Sequence, residues 1–542
     1  MPSRDSPRPP ASLDLAFWLT ALLVLAYGAV LLALLLRLPP QPVTLGALTL
    51  ALAGAGGWAL RRQGIPVRWL AVAVSLAVVA CAVVLNARVY DISYDGQGYH
   101  MLAIHALREG WNPLYEPAYP WSLWITHYPK ASWLIGLYFW TFYPAIDAGK
   151  ATNLIAIVAS GAAAHAALTR ATGQRGPILA LAAMGLAANP VAVAQVFTYY
   201  NDGLLGSLLL TFAGLLAYQA LAGDRLSAAG AALALVLLVN TKFTAVVYAA
   251  LLGAAFLGYL ALWRRERLVS GLLWLGAAGL AGVLVFGYNP YVTNTLRNGH
   301  PFYPLAGPGK VDIVTGNLPQ DFIGKGRWER FYLSLTAKPG NPIQPNPSQR
   351  RESFWKVHPA EFKQLSVDTR VAGFGPYMHW IALGSLALGA VVLAWDRRRG
   401  LAGLALAGVI AVTVFINPEA WWARYVPQFW WIPFVFCLSG WTCRHWLSRA
   451  AALLLLALVG VNAGGSGLHL LDYQVTNSQR LEAQFDSLKA ENRVIRISRE
   501  GRNFISVPLR LAEKGIPFEE VPPEEACPNP ERILFTSVRH CR

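Results

Sequence analysis

Asp91 and Asp95 stand about one helical turn apart in Tyr90-Asp-Ile-Ser-Tyr-Asp-Gly-Gln-Gly-Tyr-His100, directly after an apolar run. Asp202 closes Tyr199-Tyr-Asn-Asp202, again beside an apolar run. Three cations occupy comparable places: Lys130 in His127-Tyr-Pro-Lys130, Lys242 in Asn240-Thr-Lys-Phe-Thr244, and Arg424 in Ala423-Arg-Tyr-Val-Pro427. A carboxylate can take a proton from a hydroxyl, and beside a low-dielectric membrane its pKa rises towards the range a base needs. Cations can stabilise a departing phosphate, Arg through its fork and Lys as a point charge.

Each of these residues also has a structural use. Aspartate favours helix starts, which suits Asp91 ahead of the helical-looking stretch Met101 to Arg108. It also suits Asp202 in an Asn-Asp-Gly turn. Lys242 can snorkel from a helix end, and Arg424 can pair with Glu419. His100 and His127 can contact phosphate or sugar, or pack among aromatics. Trp111, Tyr115, Tyr119, Trp121 and Trp124 can form an interfacial belt or a sugar-stacking wall. Asp91, Asp95 and Asp202 offer oxygen ligands suited to Mg²⁺ or Mn²⁺. The nearby cations can replace a metal, so no cofactor is expected, with Mg²⁺ or Mn²⁺ left open.

These residues are spaced along a chain built for lipid. Of its 542 residues 55% are hydrophobic and 14% charged, against roughly 25% charged in soluble domains. Apolar runs near 15–37, 43–60, 67–88, 148–169, 177–197, 203–222, 226–241, 244–262, 268–290, 378–395, 401–417, 426–444 and 449–470 predict about thirteen membrane helices. The first, Leu15 to Leu36, is too long for a signal-peptide core and reads as a retained span. With the N-terminus in the cytoplasm, every inside loop carries arginine: Arg61, Arg62 and Arg68; Arg170 and Arg175; Arg225; Arg264, Arg265 and Arg267; Arg397 to Arg399; Arg444 and Arg449. This places the C-terminus and the candidate acids outside the cytoplasm, in the cell inner membrane facing the periplasm. The net charge of +16 then belongs to loops that meet anionic lipid, and no nucleic-acid partner is expected.

Three outer segments exceed simple connectors. Residues 89–147 contain a semi-apolar stretch, Ala131 to Ala145, that predicts an interfacial helix. Residues 291–377 are rich in Pro, Gly, Asn and aromatics, with an amphipathic piece near Arg327 to Leu335. Residues 472–542 predict a small α/β domain with strands at 494–498 and 533–537 and a helix over Gln479 to Lys489. Cys81, Cys437 and Cys443 lie in or at apolar runs as packing residues. Cys527 and Cys541 bracket a loop that a disulfide can close in an oxidising compartment.

The ordered motifs resemble those of the GT-C superfamily of integral membrane glycosyltransferases, particularly its aminoarabinose transferase and protein O-mannosyltransferase branches. The resemblance rests on Asp95-Gly-Gln-Gly-Tyr99, Gly110-Trp-Asn-Pro113, His127-Tyr-Pro-Lys130, Tyr199-Tyr-Asn-Asp202, Asn240-Thr-Lys-Phe-Thr244, Asn298-Gly-His-Pro-Phe-Tyr-Pro304 and Ala423-Arg-Tyr-Val-Pro427. It spans roughly residues 67–445. The family motif has a second acid where this chain has Gly96, and Asp91 can supply that charge.

The resemblance implies an all-α polytopic GT-C-like fold with a C-terminal α/β extracytoplasmic domain. In it residues 1–66 are additional N-terminal helices, 67–471 the catalytic module and 472–542 the tail domain. It implies inverting sugar transfer from a polyprenyl-phosphate donor to an extracytoplasmic glycan, lipid or protein. Asp95 would be the base and Asp202 its assistant. Lys130, Lys242 and Arg424 would hold the donor phosphate, with Asp91, Tyr99, His100, His127 and Tyr425 near substrate. An oligosaccharide ligase or polymerase with a pyrophosphate-linked donor is the alternative enzyme. A lipid-linked-sugar flippase is the alternative from another class. It would place ionisable residues or broken helices at mid-membrane, where this sequence has only His165 and Asn189-Pro190.

Overall fold

A computed structural model describes residues 9–499, 501, 503–523 and 529–541. Among them ten helices are long and apolar enough to cross a bilayer, as expected of a multi-pass membrane protein. They are Ala11–Leu35, Pro42–Arg62, Trp69–Ala87, Ile146–Thr172, Asp202–Ala222, Phe243–Trp263, Arg265–Phe286, Met378–Trp395, Arg397–Phe415 and Trp446–Ala490. The other three apolar runs form shorter helices, Pro177–Ala187, Arg225–Val239 and Ile432–Thr442. Local sequence accounts for two of the shortenings. Proline cannot continue a helix, and Asn189 caps a new five-residue helix by accepting the Val191 N–H at 3.0 Å. Pro427 likewise opens a 3₁₀ segment before Ile432.

The Asp202–Ala222 helix is the buried axis of the bundle, packed between the Ile146–Thr172 and Arg225–Val239 helices. Glycine permits the approach: a Cβ at Gly214 would fall 2.9 Å from the Ala163 backbone, and small residues are what allow helices in lipid to meet this closely. The N-terminal Ala11–Leu35 helix packs against the same core, and its Tyr27 hydroxyl donates to the Phe286 carbonyl at 2.8 Å. The Pro42–Arg62 helix is almost wholly outward-facing. The helix expected at the interface, Ala131–Phe142, has Trp133, Leu134, Ile135 and Leu137 buried. It lies inside the protein because it packs against both the Ala11–Leu35 and Met101–Arg108 helices. The amphipathic piece forms the helix Arg327–Thr336, with Trp328 and Tyr332 exposed.

The last helix runs unbroken from Trp446 to Ala490, a length of about 68 Å at helical rise. The helix expected over Gln479 to Lys489 is therefore its continuation, carrying the chain from the bundle into the tail domain. There β1 (Ile495–Ser498), β2 (Phe518–Glu520), β3 (Glu531–Arg532) and β4 (Arg539–Cys541) form a sheet of order β2-β1-β4-β3. β1 pairs parallel with β2 and antiparallel with β4. The first expected strand is β1. Residues 533–537, expected as a strand, instead form the turn between β3 and β4. Phe535 there takes a positive φ of 60°, and the Thr536 hydroxyl donates to the Ile533 carbonyl at 2.8 Å. Ile92, from the loop after the third membrane helix, belongs to the tail domain's core with Phe485, Ile495 and Leu511. Cys541 is disulfide-bonded, while Cys527 lies outside the described residues. Cys437 and Cys443 are buried and Cys81 faces outward, all three as free thiols.

Candidate functional site

Helix ends bring the charged residues together. Asp95 follows the Trp69–Ala87 helix and precedes the π-helical turn Gly96–His100. Asp202 opens its membrane helix, Lys242 stands immediately before Phe243–Trp263, and Arg424 lies in the 3₁₀ turn Ala423–Tyr425. All four lie at one end of the bundle. Arg68, Arg225 and Arg264 lie at the opposite ends of the same helices or the loops that join them.

Arg424 is the hub. Its Nη1 is 3.6 Å from Asp95 Oδ2, 3.8 Å from Asp202 Oδ2 and 3.2 Å from Asp368 Oδ1. The guanidinium also lies 4.3 Å from the centre of the Trp422 ring and 5.3 Å from that of Tyr425. Lys242 pairs with the other Asp202 oxygen, Oδ1, and its ammonium is 4.5 Å from the Tyr425 ring centre. Arg370 stands 3.7 Å from Asp368. Three carboxylates thus face three cations, and this balance is what allows so much charge to gather in a partly buried site. Burial holds the Asp95 carboxyl above its ordinary value of 3.8; Arg424 and Lys242 pull it down, and Asp202 pushes it up. Burial likewise raises Asp368 against the pull of Arg424 and Arg370. Among the described residues, Asp368 Oδ1, Arg370 Nε, Arg424 Nε and Trp422 Nε1 are buried without a hydrogen-bond partner.

A cavity of about 470 Å³ opens on this group, lined among others by Tyr94, Asp95, Tyr200, Asp368, Arg370, Arg424 and Tyr473. That volume falls within the range of small-molecule sites. Tyr200 stands beside Asp95 in the lining and helps to draw the Asp95 carboxyl down against the effect of burial. None of Trp111, Tyr115, Tyr119, Trp121 or Trp124 lines the cavity. Tyr115 instead donates to the Leu35 carbonyl at 2.7 Å, and Trp111 packs on Tyr119.

Asp202 does not cap its helix: the Gly203 N–H goes to Gln195 Oε1 at 2.7 Å, leaving the Asp202 carboxylate for Lys242 and Arg424. Glu419 does not pair with Arg424, because it meets Arg330 at 3.6 Å. Tyr99 and Tyr425 lie beside the cluster: Tyr99 feels the charge of Asp95, and Tyr425 contacts both cations. His100 stacks on Tyr99 with ring centres 4.2 Å apart. Its Nδ1 accepts from Trp133 Nε1 at 2.7 Å, which puts the ring proton on Nε2. Burial depresses its pKa to about 3, so His100 is a neutral donor.

Asp91, Lys130 and His127 are elsewhere. Asp91 is fully buried, and its carboxylate accepts the backbone N–H groups of Ser93 and Tyr199, each at 2.8 Å. A Cβ at Gly96 would lie 2.0 Å from Asp91 Oδ2. The Asp91 carboxylate therefore fills the space a second motif acid would need, but spends its lone pairs on backbone. Asp91, Asp95 and Asp202 consequently do not assemble the oxygen-ligand set considered for Mg²⁺ or Mn²⁺. No group of three His, Cys, Asp or Glu side chains with metal-holding geometry occurs among the described residues.

Lys130 donates to the Thr126 and Tyr128 carbonyls at 3.2 and 2.7 Å, 5.4 Å from the Trp133 ring centre. Burial lowers its pKa well below the ordinary value, and no carboxylate pairs with it among the described residues. His127 Nδ1 sits 2.7 Å from Asn294 Oδ1. Asp368, Arg370 and Tyr200 are the site residues that sequence reasoning missed. Asp368 lies in an irregular loop within Val367-Asp-Thr-Arg370, whose only signal is an acid two residues from a base.

Comparison with family models, curated proteins and solved structures finds no match.

Proposed function

We propose that this chain is a membrane glycosyltransferase of GT-C type, moving a sugar from a polyprenyl-phosphate donor to an extracytoplasmic hydroxyl. The observation that carries the reading is the meeting of Asp95 and Arg424 in a polar cavity at one end of the helix bundle. Asp95 takes the acceptor proton, and the acceptor oxygen attacks the anomeric carbon from the face opposite the phosphate. The bond from that carbon to the phosphate oxygen breaks, and the charge gained by the departing polyprenyl phosphate meets Arg424 and Lys242. Asp202 orients Lys242, and Asp368 holds Arg424 from the other side. The raised pKa of Asp95 suits a base, since a carboxylate of ordinary acidity attracts the acceptor proton weakly. The cluster lies on the non-cytoplasmic side, where lipid-linked sugars are the available donors.

The test is to incubate the purified protein with a panel of radiolabelled polyprenyl-phosphate sugars and membrane extract. Transfer by the wild type, reduced about 10²-fold or more in Asp95→Asn, is the expected result. Undiminished transfer by Asp95→Asn would remove Asp95 as the base. The same assay with EDTA is expected to retain activity; loss restored by Mg²⁺ or Mn²⁺ would overturn the metal-free mechanism.

A further inference from the structure

Arg510, in the tail domain, is fully buried, and among the described residues its guanidinium directs all its hydrogen bonds out of that domain. Nε and Nη2 grip the two oxygens of Asp147, each at 3.0 Å. Nη2 also donates to the Asp91 carbonyl and Nη1 to Gln97 Oε1, both at 3.0 Å. Residues 91 and 97 flank Asp95, so a single guanidinium closes the loop that carries it. The tail domain reinforces the Gln97 end of this bracket. Ser506 Oγ donates to Gln97 Oε1, and Gln97 Nε2 donates to the Phe535 carbonyl, both at 3.0 Å. The Asp91 end continues towards the second acid. Asp147 Oδ1 accepts the Asp91 N–H at 2.8 Å, and Asp91 accepts the Tyr199 N–H three residues before Asp202.

We propose that Arg510 is a positioning residue, through which the tail domain holds the Asp95 loop in register with Asp202 and Arg424. An apolar contact would have joined the domain to the bundle at less desolvation cost, and Ile92 already makes one. What apolar packing cannot supply is a directional hold on two chosen positions of a loop, and the planar fork does that. The tail domain is thus part of the site rather than an appendage beside it. Tyr473, on the helix leading into it, lines the cavity, and Phe504 meets Tyr94 edge-on at 5.7 Å.

The test uses the full chain in detergent or nanodiscs and two variants. Gln97→Leu removes the bracket while leaving the Arg510–Asp147 pair. Arg510→Lys keeps the charge opposite Asp147 but loses the fork. Amide hydrogen exchange in residues 91–100 is expected to rise about tenfold or more in both, with the β1–β4 sheet protected as in the wild type. Unchanged exchange in 91–100, or an equal rise throughout the tail domain, overturns the proposal, because Arg510 would then serve only to fasten that domain. A kinetic arm rests on the glycosyl-transfer reading: kcat falls about tenfold or more with donor KM unchanged. If the wild type transfers no sugar, that reading fails while the exchange data still decide the role of Arg510.

Discussion

Arg424 serves three carboxylates from one guanidinium, and at this site charge balance matters more than any single contact. A lysine there keeps the charge but loses the flat guanidinium that lies over the Trp422 and Tyr425 rings. Arg424→Lys is expected to lower transfer about 10- to 100-fold, measured as kcat/KM with a lipid-phosphate sugar. Asp202 raises the pKa of Asp95 by its negative charge. Asp202→Asn removes that charge, so the carboxylate form of Asp95 persists to lower pH. The acid limb of the pH–rate profile should therefore shift towards acid in Asp202→Asn, even where the maximal rate falls. His100 supplies a stability prediction. Its folded pKa of about 3 lies below its ordinary 6.5, so between these values the unfolded chain binds more protons than the folded one. Stability therefore rises with pH across that window and is lost on acidification. Thermal unfolding followed from pH 7 to pH 5 should show a falling midpoint, with a shallower fall in His100→Gln.

At the scale of elements, the turn Gly96–His100 connects the Asp95 loop to the helix Met101–Arg108, and its two glycines differ in what surrounds them. A Cβ at Gly96 meets the Asp91 carboxylate, whereas one at Gly98 meets nothing within 4 Å. Gly96→Ala is expected to destabilise by about 1–3 kcal/mol through overpacking. Gly98→Ala should be neutral, or stabilise by up to about 1 kcal/mol by restricting the unfolded chain. Melting the two variants side by side checks this, and equal effects would mean that Asp91 does not occupy the space beside position 96. The helices themselves were largely legible, because long apolar runs bounded by arginine need only local composition to be recognised. The Asn189-Pro190 break was visible as a residue pair. The turn at 533–537 was not, because the run Ile533-Leu-Phe-Thr has strand-like composition and turns back only through the left-handed conformation of Phe535.

For the whole molecule, the arrangement predicts a sidedness that labelling can read. Single cysteines at Ser366 or Asn317, beside the cavity, should react with an impermeant thiol reagent from the outer face of intact cells. Cysteines replacing Arg225 or Arg264 should react only after the membrane is opened. Labelling at position 366 or 317 from the cytoplasmic side would overturn the donor assignment. The N-terminal helix, which motif order places outside the family resemblance, packs into the bundle core. Its deletion should therefore abolish folding, not trim an accessory.

Sequence alone determined the apolar helices, the single end at which Asp95, Asp202, Lys242 and Arg424 lie, and the existence of a mixed tail domain. Each of these follows from local composition and from the alternation of helix ends. Tertiary structure decided which charges meet. It brought Asp368 and Arg370 from an irregular loop to Arg424 and turned Asp91 inward onto backbone N–H groups. It enclosed Lys130 among carbonyls and tryptophans, and it set Arg510, 413 residues beyond Gln97 along the chain, against the loop that bears Asp95. Ion pairs between distant segments depend on how helices pack and loops close. No spacing along the chain encodes that, because the partners become neighbours only once the bundle has formed.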